Sequence, residues 1–163
     1  MTMIGSVLIA AAPAQATVGD AVCTGTSAQT YSPGLTNTAQ TLNAATSTHY
    51  VPCTSLADPA LNSGATIRSL PGITLSCTAL FTATTAPTIT WNTGQTSTLS
   101  LVGQGLVTVP LVSQSVTYLG SVTAGQFVGD AVALLVVYTG NPFNACSSTG
   151  VTAVAGLAAL TIA

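Results

Sequence analysis

The sequence predicts an all-β domain, an antiparallel β-sandwich of immunoglobulin-like or Greek-key connectivity braced by two disulfides. Three observations carry that prediction. Apolar and polar side chains alternate with a period of two along most of the chain, Gly, Pro and Asn punctuate it at short intervals, and four cysteines are spread through it. A chain of 163 residues is about one domain by length and can bury a core of its own.

Taken in order, the chain opens on MTMIGSVLIAAAPAQA. The apolar run from Met3 to Ala12, followed by Ala14-Gln15-Ala16, has the form of a signal peptide and its A-x-A cleavage site. We therefore divide the chain into a signal peptide at 1–16 and a single sandwich domain at 17–163. No Lys or Arg precedes the apolar run, so the leader's natural start is expected further upstream.

Strands are expected at 21–31 and 36–51. In GITLSCTALFT, Ile73, Leu75, Cys77, Ala79 and Phe81 fall on one face, which predicts a strand with Cys77 pointing inward. TITWNTGQTSTLSL predicts a hairpin that turns at Thr93-Gly94-Gln95, with Ile89 and Trp91 on its dry side opposite Leu99 and Ser97. Residues 105–123 read as further strand. DAVALLVVYTG is apolar on both faces, as a strand covered on both sides would be, and 151–162 closes the series. Turns are marked by Ser32-Pro33-Gly34, Pro71-Gly72, Asn92 to Gly94, Gly125, Gly129 and Gly140-Asn141-Pro142.

Cys23, Cys53, Cys77 and Cys146 form an even set behind an export signal, where disulfides persist. Of the three possible pairings we favour Cys23 with Cys53 and Cys77 with Cys146, each worth about 3 to 4 kcal/mol in the loop-entropy view. Zinc is not expected, because there is no C-x-x-C pair and His49 stands alone. The spacing of Cys77, Trp91 and Cys146 matches the Cys, Trp, Cys pattern of immunoglobulin domains. Asn144, however, occupies the place of the corner tyrosine, so the term describes architecture and not membership.

The stretches VCTGTSAQTYSPGLT, YVPC, LSCTAL, ITWNTGQTSTLSL, TAGQFVGDAV and ACSSTGVTAVAGLAALTI together resemble a group of small secreted actinobacterial proteins rich in Thr and Gly. The resemblance spans most of the mature chain. It implies export, four paired cysteines and a β-rich domain, and it brings no catalytic or binding residue.

Charged residues make up 2% of the chain, against about 25% in ordinary soluble domains. Asp20, Asp58, Arg68 and Asp130 are the whole inventory. One cation cannot neutralise a phosphate backbone or dock on anionic lipid, so nucleic acid is excluded as a partner, and no segment of the mature chain has the ~20 apolar residues of a membrane-spanning helix. Acid–base catalysis would have to draw on His49, three Asp and one Arg, without a G-x-S-x-G elbow, so no enzyme, cofactor or metal is expected. Asp58 could pair with Arg68 on the surface.

The expected role is therefore that of a secreted, extracellular or cell-wall-associated structural protein, which partners itself or cell-wall components through strand edges that carry no Lys. The alternative is an extracellular binding module for polysaccharide or protein, including a protease inhibitor. Its contact aromatics would come from Tyr31, Tyr50, Trp91, Tyr118, Phe127, Tyr138 and Phe143. Trp91 is expected in the core, and Tyr31 and Phe143 are expected to be exposed in loops.

Overall fold

The computed structural model describes residues 20–163, so the expected signal peptide lies outside the described residues. The strands are β1 (Ala21–Leu35), β2 (Gln40–Thr54), β3 (Gly64–Leu75), the two-residue β4 (Thr84–Thr85), β5 (Thr88–Trp91), β6 (Thr96–Val109), β7 (Ser113–Gly125), β8 (Ala131–Thr139) and β9 (Val151–Ile162). One short helix, α1 (Cys77–Thr82), follows β3, and a 3-10 turn at Pro142–Ser147 precedes β9.

These strands do not form the sandwich that the sequence suggests. Apart from the two-residue β4, successive strands pair antiparallel, β3 passing over β4 to β5, and β9 returns to β1 from Ala21↔Ile162 to Thr30↔Ala153. The result is a closed, eight-stranded up-and-down barrel, with β4 as an extra pairing on β6. The correction has a simple cause. Period-two alternation separates an inside from an outside, and the same pattern serves a sheet laid on a second sheet or one rolled onto itself. What rolls it is the coiling of long strands, 15 residues in β1 and in β2, and the pairing of β6 with β7 completes the ring.

Local departures follow from identifiable chemistry. The stretch expected as one strand around Cys77 breaks at Ser76, whose hydroxyl accepts from the Ala79 backbone N–H and caps α1. Cys77 and Phe81 then share one buried face of a helical turn, and Leu80 packs partly buried beside them. Residues 105–123 are two strands and not one, because Pro110 and Leu111 turn the chain, with Leu111 at φ 60° and its N–H bonded to Asn141 Oδ1. In β8, Val132, Leu134, Val136 and Tyr138 point inward, while Leu135 on the other face remains 38% exposed, so this strand is covered on one side only. The hairpin at 88–101 keeps its dry face, but its register differs by two residues, with Ile89 opposite Ser97. Trp91 reaches Ser97 diagonally, donating from Nε1 to Oγ at 2.8 Å.

Two apolar clusters plug the barrel. One, around Trp91, Ile89, Leu99, Leu101, Leu160 and Ile162, contains Cys23 and Cys53; the other, around Leu35, Leu42, Phe81, Tyr138 and Phe143, contains Cys77 and Cys146. Both disulfides, Cys23–Cys53 and Cys77–Cys146, are formed, so each plug carries one. Gly103 is required where α1 crosses β6, since a Cβ there would collide with the Phe81 carbonyl. Tyr118 and Leu134 touch both clusters and mark the level between them.

Candidate functional site

The barrel is paired unevenly around its circumference. β3 meets β5 at Gly64↔Trp91 and Ala65↔Thr90, after which β4 pairs with β6. Beyond Ala65 the wall parts, and side chains bridge the seam. Thr66 Oγ1 donates to the Thr88 carbonyl at 3.1 Å, and Arg68 Nη1 donates to Thr85 Oγ1 at 2.6 Å.

Behind this seam, between the two plugs, lies a cavity of about 310 Å³. Register dictates its polar wall. Ser27, Thr48 and Thr66 are direct cross-strand neighbours on β1, β2 and β3, and Gln29, Thr46 and Arg68 form the next row. All six face the lumen, because they keep phase with the buried Cys23, Tyr31 and Tyr50. Ser27 Oγ and Thr48 Oγ1 are hydrogen-bonded at 3.0 Å, and Tyr31 Oη donates to Gln29 Oε1 at 2.8 Å. The opposite wall is apolar, formed by Leu101, Leu134 and Val136, with Leu70, Ile73 and Leu80 near the seam.

Gln29, Thr46, Thr48, Arg68 and Leu70 point inward yet keep partial solvent exposure, so water reaches the lumen. The lumenal phenols are held neutral. Burial raises the pKa of Tyr31, Tyr50 and Tyr118 above the ordinary tyrosine value, for Tyr31 with help from the neighbouring Tyr138 and Tyr118. They serve as hydrogen-bonding groups at any physiological pH.

The remaining sequence candidates lie elsewhere. Tyr31 and Phe143, expected in exposed loops, are 4% exposed each, because Tyr31 lies on an inward position of β1 and the 3-10 turn at Pro142–Ser147 tucks Phe143 into the core. Phe143 stacks edge-on against both Phe81 and Tyr138, at 4.8 and 5.0 Å between ring centroids. Trp91 is in the core as expected, 2% exposed, and Phe127 packs edge-on against it. His49 is exposed on the outer face of β2, within hydrogen-bonding distance of Ser47 Oγ. Asp58 does not pair with Arg68, since it accepts from Gln126 Nε2 at 2.8 Å while Arg68 turns into the barrel. Asp130 is hydrogen-bonded to Asp20, which raises its pKa. All three carboxylates of the chain are thus engaged away from its one cation.

No family model, curated protein or solved structure matches the chain, so the actinobacterial resemblance rests on the quoted residues alone. Among the described residues there is no group of three metal-ligating side chains, and no helix long and apolar enough to cross a membrane.

A second hollow, about 460 Å³, lies on the outer face between Val51, Leu135, Val137 and Leu157. It is shallower in chemistry: apart from the Thr24 and Thr26 hydroxyls, its lining offers hydrocarbon and backbone. Of the two hollows, it is the lumen that sets a polar wall against an apolar one. Sequence reasoning missed it, although Ser27, Gln29, Thr46 and Thr48 fall in phase with buried Cys and Tyr residues, which was the available signal.

Proposed function

We propose that this is an extracellular binding protein that holds one small amphipathic molecule inside its barrel and catalyses no reaction. The observation that carries the reading is the lumen itself, a cavity of about 310 Å³ with a polar wall on β1 to β3 and an apolar wall opposite. Its size is at the lower end of small-molecule pockets, and it combines apolar lining with a few convergent polar groups, as such pockets do. An eight-stranded barrel is wide enough for one small ligand. A polysaccharide or a protein loop does not fit such a volume, so the binding role narrows to a small molecule. The two disulfides and the processing signal in the sequence support export.

Calorimetric titration of the oxidised protein with octan-1-ol tests the reading. We expect one-to-one binding with a negative heat-capacity change. Ala44→Phe, which fills the lumen from β2, should abolish it while circular dichroism stays unchanged. Failure of the folded wild type to take up octan-1-ol or any similarly sized amphiphile would overturn the proposal.

A structural, self-associating role is the second reading. Closure pairs the strand edges that it relied on, and what favours it now is the uncharged outer face with its hollow at Leu135 and Leu157. Growth of the particle with concentration, insensitive to salt, would support it.

A further inference from the structure

Resting on the lumen-binding reading, we infer that the ligand is a small amphipathic carboxylate whose head group is taken by the Arg68 guanidinium and whose apolar body lies against Leu101, Leu134 and Val136.

The charge inventory leads there. Arg68 is the chain's one cationic side chain, and it lies on the inner face of β3 at the seam instead of on the outer surface, where solvation would be complete. A cation withdrawn from bulk water is unfavourable unless it is paired or hydrogen-bonded. Asp58 is held by Gln126 and Asp130 by Asp20, so no carboxylate among the described residues pairs with it. Thr85 Oγ1 takes one N–H, and a guanidinium carries five in a planar fork that fits a carboxylate through two parallel bonds.

Thr46 lies directly across from Arg68, and Gln29 across from Thr46. The same row therefore offers a hydroxyl and an amide beside the guanidinium. The phenols of Tyr31, Tyr50 and Tyr118 are neutral donors, so the lumen bears a single positive charge. A monoanion cancels it; a phosphate dianion would leave a negative charge uncompensated in a half-apolar cavity. The volume, about 310 Å³, corresponds to roughly ten groups of water size at ~30 Å³ each, which sets the length of the ligand.

The test compares octanoate, octan-1-ol and octylamine at neutral pH by calorimetry on the oxidised protein and on Arg68→Gln. The wild type should bind octanoate at least tenfold more tightly than octan-1-ol, with octylamine weakest. Arg68→Gln should bring octanoate down to the level of octan-1-ol and leave octan-1-ol unchanged. Thr85→Val, which frees the guanidinium without removing it, should weaken octanoate by a few-fold and spare octan-1-ol. If the wild type binds octan-1-ol as tightly as octanoate, the carboxylate inference falls and lumen binding stands. If it binds none of the three, the lumen reading falls as well. The wild-type comparison holds whether or not the variants fold.

Discussion

The two halves of the barrel wall face each other with different chemistry. On β6 to β9 the inward positions include Leu99, Leu101, Val116, Val122, Val132, Leu134, Val136 and Leu160, and apart from Tyr118, which borders the cavity, the polar exceptions are closed off. Ser97 bonds Trp91 Nε1 and the Gln126 carbonyl, while Gln114 bonds Thr108, Asn144 and the Phe143 N–H. On β1 to β3 the middle inward positions are Ser27, Gln29, Thr46, Thr48, Thr66 and Arg68, and several remain in contact with water. Ser97 and Gln114 are dry and hydrogen-bonded, as polar groups that serve only the fold generally are. Those in the second half border a cavity, which is how a binding wall differs from a packing wall.

Substitutions in the two halves should separate these roles. The largest loss is expected from replacing Cys77 and Cys146 by Ala. This removes a link across 69 residues, and urea unfolding should report about 4 kcal/mol of lost stability. Next comes Leu99→Ala on the packing wall, a fully buried side chain away from the cavity, at ~3 kcal/mol in the same assay. Thr46→Val on the binding wall should change stability by less than ~1 kcal/mol and yet weaken octanoate binding measurably. A stability loss at Thr46 as large as that at Leu99 would erase the distinction.

Two pH effects are smaller at neutral pH but have definite signs. All four tyrosines, Tyr31, Tyr50, Tyr118 and Tyr138, have raised pKa values, chiefly through burial. Their contribution to stability is complete below the unfolded value of about 10 and is lost as pH rises towards the folded values. Ultraviolet titration should accordingly show no tyrosinate near pH 10 until the protein unfolds. Asp130 is nearly exposed, and its pKa is raised by the hydrogen bond to Asp20. Its contribution is complete below the ordinary carboxyl value and declines above it, so Asp130→Asn should flatten a slight fall in melting temperature as pH rises past the ordinary carboxyl value.

Much of the strand content was legible in the residues. The bounds of β9 coincide with the apolar, Gly-containing stretch 151–162, and the pairing of Cys23 with Cys53 places two directly opposed strand residues together. Closure was not legible, because alternation says which side chains turn inward and not what lies across from them. The helix at Cys77 was obscured because Cys77 and Phe81 satisfy spacings of both two and four; the cap at Ser76 was the signal that favoured four. The lumen was hidden for a related reason. Thr46, Thr48 and Arg68 look like surface residues until β1, β2 and β3 are set in register, and only closure then makes their face an interior.

The central claim is that a ligand sits between the two walls. It is tested most directly by methyl and amide NMR shifts on titration with octanoate. We predict perturbations at Leu70, Ile73, Leu101, Leu134, Val136 and the Arg68 guanidinium, with Leu111, Leu135 and Leu157 unmoved. Shifts confined to Leu135, Val137 and Leu157 on the outer face would contradict the account, since they would place the ligand outside a barrel whose interior is then merely a packed core.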